Sequence, residues 1–174
     1  MAQGDVRNRL QPALLDRLAD DNRESRLEAD DRKVMSKSQL RQAVLRDLGA
    51  LFNAVQPLSR TAVATYPALA ASVLNYGLPA LAGQLASKLD ISLLERAIRE
   101  AILRFEPRIL PETLQIRALE ASSILDTHNV IEFEIRGHLW SQPVPLEILL
   151  RTQLDLEAGQ VEVRDAVSSA PKAR

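Results

Sequence analysis

The stretch Val130-Ile131-Glu132-Phe133-Glu134-Ile135-Arg136-Gly137-His138-Leu139 sets Ile131, Phe133, Ile135 and Leu139 against Glu132, Glu134, Arg136 and His138. A period of two reads as a strand with one buried face. The alternation continues on both sides of it. Upstream, Leu114, Ile116 and Ala118 alternate with Gln115 and Arg117. Downstream, Leu146, Ile148, Leu150, Leu154 and Leu156 share a face, and a loop from Glu157 to Gln160 leads to Val161 and Val163. Pairing Leu139 with Leu146 brings Phe133 opposite Thr152. Pairing Leu156 with Val161 brings Leu154 opposite Val163. The inward faces then agree, which predicts an antiparallel meander of about four strands.

Before residue 110 the period is helical. Leu40, Val44, Leu48, Leu51, Phe52 and Val55 recur at three- and four-residue steps after a cap at Ser36 or Ser38. Arg41, Arg46 and Asp47 fall on the opposite face, and Pro57 is the stop. Asp90 caps a second stripe of Ile91, Leu94, Ile98, Ala101, Ile102 and Phe105, with Glu95, Arg96, Arg99 and Glu100 outside and Pro107 past the end. Between the two, residues 61–87 carry no charge. There Tyr66-Pro67 opens a helical stretch through Leu69, Val73 and Leu74 to Asn75-Tyr76-Gly77, where glycine stops it, and a short helix of small residues is expected over Leu81 to Ser87. Prolines and glycines interrupt the segment too often for a membrane span, so it reads as buried or interfacial. Helices first and strands second predict an α+β fold, with N-terminal helices packed on one face of a C-terminal, mainly antiparallel sheet.

Residues 36–165 form the expected folded domain. Residues 1–35 read as a flexible charged arm whose short amphipathic helix carries Leu10, Leu14, Leu15 and Leu18, either as a solvated linker or as a partner-docking element; residues 166–174 read as a disordered tail. The chain has 174 residues, 46% hydrophobic and 26% charged, which suits one globular domain and excludes general disorder. A net charge of −1 gives no overall attraction to nucleic acid or to an anionic membrane. With no cysteine there is no disulfide framework, thiol nucleophile or zinc–thiolate site, and Met1-Ala2-Gln3-Gly4-Asp5 is unlike the start of a signal peptide, so a cytoplasmic location is expected.

His128 and His138 sit in no metal motif, and G-x-S-x-G, Walker A and G-x-G-x-x-G are missing, so neither a metal nor a cofactor is expected. Glu132 and Glu134 lie about 7 Å apart by strand geometry, within the range of a glycosidase pair. An ordinary solvated strand face has the same spacing. Phe105-Glu106-Pro107-Arg108 places an acid and a base about a proline where the second helix meets the sheet, as a structural ion pair or as a polar recognition point. Asn75 and Tyr76 can serve the helix end and the core, or an interface.

Four segments in order, Leu14-Leu15-Asp16-Arg17-Leu18, Arg46-Asp47-Leu48 with Leu51-Phe52-Asn53, Ser72-Val73-Leu74-Asn75-Tyr76-Gly77-Leu78-Pro79, and Phe105-Glu106-Pro107-Arg108, resemble the TssE-type baseplate subunits of type VI secretion systems. These belong with the lysozyme-like baseplate wedge proteins of contractile phage tails. Ile131-Glu132-Phe133 and Pro143-Val144-Pro145-Leu146 are similar to the closing sheet of that family, and the match covers roughly residues 10–165. The resemblance implies a structural wedge component that helps initiate the contractile sheath around the inner tube. Its partners would be other wedge subunits and sheath proteins, in a cytoplasmic assembly docked at the membrane, with no nucleic acid, membrane insertion, small-molecule substrate or cofactor. It maps the family's Glu-Pro-Arg motif onto Glu106, Pro107 and Arg108 and raises the docking reading for Leu14, Leu15 and Leu18, while Asn75 and Tyr76 stand as partner-binding candidates beside their role in the fold. An exposed strand edge between Leu114 and Arg164 would then template a sheath strand. The reading from another class is a peptidoglycan-cleaving hydrolase using Glu106 with Glu132 or Glu134; a generic adaptor is the third.

Overall fold

The computed structural model describes residues 35–58, 60–81, 90–119 and 130–166. Among the described residues the chain forms α1 (Lys37–Asn53), α2 (Arg60–Thr65), α3 (Ile91–Phe105), β1 (Gln115–Leu119), β2 (Val130–Leu139), β3 (Leu146–Asp155) and β4 (Gln160–Asp165). The strands make one antiparallel sheet in the order β1-β2-β3-β4, the expected α+β meander. The N-terminal arm with Leu10, Leu14, Leu15 and Leu18, the expected helix after Leu81, His128 and the tail beyond Ala166 lie outside the described residues.

Both long helices start where their caps dictate. Ser36 accepts from Gln39 N while the Gln39 side chain accepts from Ser36 N, a reciprocal capping box. Asp90 Oδ1 accepts from Ser92 N and Leu93 N at the head of α3. Their apolar stripes meet the sheet in one core, in which Leu48, Ile102, Phe133, Ile135, Leu139, Ile148 and Leu150 are fully buried. In register, Leu139 faces Leu146 and Phe133 faces Thr152, as the alternation predicts.

The last hairpin departs from its expected register. Leu154, not Leu156, faces Val161, and Thr152 faces Val163, a slip of two residues that keeps every side chain on its face. The cause is the turn. Asp155 Oδ1 accepts from Glu157 N and Ala158 N, Gly159 N donates to Asp155 O, and Gly159 takes φ 65°, so the chain reverses between Asp155 and Gln160. Leu156 then sits inside the turn and still points into the core.

The uncharged segment also differs from its expected helix. It breaks into α2, a 3₁₀ turn over Pro67–Ala71 and another over Val73–Asn75, because Tyr66 precedes proline and Ser72 is extended at φ −81°, ψ 157°. Val73 and Leu74 are consequently 82% and 62% exposed, and Val55, expected in the stripe of α1, lies beyond its end and is 59% exposed. Val55 instead pairs with Leu78 in a parallel bridge: Leu78 N donates to Ala54 O at 2.9 Å and Gln56 N to Leu78 O at 2.8 Å. Gly77 makes that approach possible. Its φ is 122°, and a Cβ there would lie 2.3 Å from Ala54 O.

The helices grip both edges of the sheet. From α1, Arg41 binds Asp165 and Glu147 O, and Asn53 binds Val161, so α1 runs antiparallel to β4. From α3, Glu95 accepts from Ala118 N and Arg99 donates to Leu114 O. Arg41, Glu95 and Arg99 were expected on solvated faces; they cap backbone groups or ion pairs of the edge strands instead. The other face of the sheet carries Arg117, Glu134, Arg151 and Arg164 in one cross-strand row and has no helix on it among the described residues.

Candidate functional site at the helix–sheet junction

Helix α3 ends at Phe105 because Pro107 cannot continue it, and Glu106 closes it through its N–H to Ile102 O. The chain then enters the sheet by an isolated bridge between Ile109 and Leu139, flanked by Leu110 N to His138 O and Trp140 N to Arg108 O. This route fixes Glu106 and Arg108 on one side of a proline turn. Glu106 is only 3% exposed, and both its oxygens accept from the Arg108 guanidinium, Nε to Oε1 at 2.7 Å and a terminal nitrogen to Oε2. The same terminal nitrogen reaches Asp47 Oδ2 of α1 at 2.6 Å, and Arg46 in turn binds Asp47 Oδ1 at 2.9 Å.

Four charges, two of each sign, thus join α1, the end of α3 and the first turn toward the sheet. Burial works against the Arg108 charge, but the hydrogen bonds and charges of Glu106, then of Asp47, outweigh it and hold the guanidinium above its ordinary pKa. A bidentate arginine–carboxylate fork inside a protein is strong and directional. Its geometry makes Glu106 the inner member that orients the pair, while Pro107 is exposed and Arg108 partly so.

The cluster forms one wall of a pocket of about 400 Å³ whose apolar lining includes Met35, Leu48, Leu51, Tyr76 and Phe105. Tyr76 meets Phe105 edge to face with ring centroids 5.2 Å apart, and its hydroxyl points to Asp47 O at 3.4 Å. Asn75 is not at this surface: it is 4% exposed, its Nδ2 reaches Ala70 O at 3.4 Å, and its Oδ1 has no hydrogen-bond partner. The structure therefore brings Glu106, Pro107, Arg108 and Tyr76 together and adds Asp47 and Arg46, which the helical period alone assigns to solvent. The signal that could have found them is the Arg46-Asp47 pair within a segment that already carried the family resemblance.

Burial, followed by the negative charges of Asp47 and Glu106, raises the Tyr76 hydroxyl above its ordinary pKa of about 10. Above that pH the unfolded chain loses this proton before the folded one, so stability falls as pH rises. In urea titrations, the wild type is expected to lose more stability than Tyr76→Phe from about pH 9.5 upward. Parallel curves for the two would place Tyr76 outside the field of the cluster.

The carboxylates of the hydrolase reading are otherwise occupied. Glu132 accepts from Gln153 at 2.7 Å and Glu134 from Arg136 at 2.7 Å on the helix-free face, while Glu106 is bound twice by Arg108. Among the described residues no group of three His, Asp or Glu side chains is placed to hold a metal, and no helix is long and apolar enough to cross a membrane. In comparisons with known proteins, no curated protein and no solved structure matches the chain. A family model described as baseplate wedge protein gp25 matches residues 38–144, well over half of the chain and the whole of the charged cluster.

Proposed function

The chain belongs to the gp25 baseplate wedge family and so has a structural role in a phage-tail-like baseplate; from that premise we propose that it is the sheath-initiating subunit of a type VI secretion baseplate wedge. The observation that carries the reading is the charged cluster. A buried Glu106 aims Arg108 and the exposed Pro107 at the rim of an apolar pocket, at a junction that joins both long helices where the chain enters the sheet. Such a rigid rim offers a wedge neighbour a preorganised surface at little ordering cost. Tyr76 lines the same pocket beside the cluster, and Leu14, Leu15 and Leu18 of the arm add a second docking element.

The sheath contact is assigned to β1. There a groove lined by Ser92, Glu95, Arg96, Arg99, Ile116 and Arg117 runs beside the strand, and Ile116 turns its N–H and C=O away from β2. A strand lent by the first sheath ring would pair at Ile116, between the groups that Glu95 and Arg99 already satisfy. The assembly works on the cytoplasmic side of the membrane to which the baseplate docks.

The test is affinity purification of the tagged chain from its native cell at mild salt, with mass spectrometry of what comes along. Wedge and sheath proteins are expected, reduced several-fold with Arg108→Ala and with residues 1–30 deleted. If Glu106→Ala and Arg108→Ala, at normal protein levels, left wedge recovery and sheath elongation intact, the charged rim would not be the docking surface.

A further inference from the structure

The apolar pocket at the helix–sheet junction is a groove with a measurable length. Its lining follows α1 from Leu40 to Leu51, a run of three turns or about 16 Å. Tyr76, Phe105 and Pro107 line it as well; Pro107 is exposed, and the edge-to-face pair of rings is half-buried. Met35, the first described residue, belongs to the same lining. The 34 residues before it therefore join the fold at the groove itself.

An apolar groove along a helix is the shape that receives the apolar face of a second, amphipathic helix. The arm holds such a face. Pro12 suits a first helical turn, Leu14, Leu15 and Leu18 share one side, and Asp16 and Arg17 fall away from it. As a helix, residues 12–19 would measure about 12 Å, short enough for the groove. Of the sixteen residues between Leu18 and Met35, ten are charged, so the leucines are the apolar cluster that this arm can offer. Fully extended, those sixteen residues reach about 55 Å, several times the length of the groove, and leave the leucines free to return to it. We propose that in the unassembled chain Leu14, Leu15 and Leu18 occupy the chain's own groove, over Tyr76, Phe105 and Pro107. Tethering supplies the affinity. A short tether gives an effective concentration of order millimolar, so a contact with a dissociation constant of only about 100 μM closes the groove in about nine-tenths of the chains. A neighbour that takes the groove displaces the leucines and so frees the arm to dock in turn. The inference concerns the chain before assembly and stands whichever protein that neighbour is.

The chain has no cysteine, so one introduced at position 17 gives a nitroxide a single point of attachment. Arg17→Cys, with the label on the side away from the leucines, is compared by amide NMR with the same labelled chain carrying Leu14→Glu and Leu18→Glu. All three substitutions lie in the arm, outside the core. Paramagnetic loss of signal is expected to centre on Leu51, Tyr76, Phe105 and Arg108, and to be at least about two-fold deeper than in the glutamate variant. Mixing a spin-labelled chain free of nitrogen-15 with an unlabelled chain enriched in it separates docking within a chain from docking between copies, and the mixed sample is expected to keep its signals. Equal loss in the leucine and glutamate chains, loss centred elsewhere, or loss in the mixed sample would each overturn the proposal.

Discussion

Arg108→Met is expected to destabilise the chain by about 3 kcal/mol at neutral pH, the lower end of the range for removing one partner of a buried ion pair. The lower end applies because Arg108 and Asp47 keep partial contact with water and can be screened, while Glu106 cannot: it is almost wholly enclosed and would retain only the weak bond from Arg108 N at 3.2 Å. Adding Glu106→Gln should recover most of the loss, because the stranded charge is gone. Urea unfolding of the two single variants, the double variant and wild type closes the cycle. A loss below about 1 kcal/mol for Arg108→Met would mean that the fork is ornamental to the fold. The double variant is also the protein to use in wedge-binding assays, since it separates recognition from folding.

Gly77→Ala is expected to cost about 3 to 4 kcal/mol. Two penalties add. The φ of 122° is open to glycine and strained for alanine, and the new methyl would have to push Ala54 O and C aside from 2.3 and 2.5 Å. Moving Ala54 breaks the short parallel bridge on both sides, Leu78 N to Ala54 O and Gln56 N to Leu78 O. Chemical denaturation measures the total, and exchange of the Gln56 and Leu78 amides should rise more than that of amides in β2. A variant within about 1 kcal/mol of wild type would show that the segment after α1 can move away from Gly77 at little cost.

Period and caps made most of this fold readable, because they are local. The stripes of α1 and α3, the caps at Ser36 and Asp90 and the pairing of β2 with β3 all follow from neighbours within a few residues. The last hairpin slipped by two because its turn is closed by the Asp155 side chain and a left-handed Gly159, which outweigh the simple matching of leucine to valine. Residues that act over long separations were misread by the same local logic. Asp47 looks like a solvated helix residue until Arg108 arrives from 61 positions away, and Glu95 and Arg99 look solvated until β1 is laid beside them. For the site, the motif Glu106-Pro107-Arg108 was visible as chemistry with two meanings, and the geometry gives Glu106 and Arg108 different parts in it. Asn75 was visible as a residue type and hidden as a position, since nothing in Asn-Tyr-Gly tells a buried amide from a presented one.

The ties from α1 to β4 also set the order of events at birth. Asn53 meets Val161 and Arg41 meets Asp165 across 108 and 124 positions, so the first helix described here finishes its packing on the last strand to be made. At a synthesis rate of 5 to 20 residues per second, Arg41 waits about 6 to 25 s for that partner. Through that interval the stripe from Leu40 to Phe52 has no sheet edge to rest on, and closing such long loops comes late and slowly in folding. A nascent chain of this kind is one that a holdase would find before its neighbours in the baseplate do.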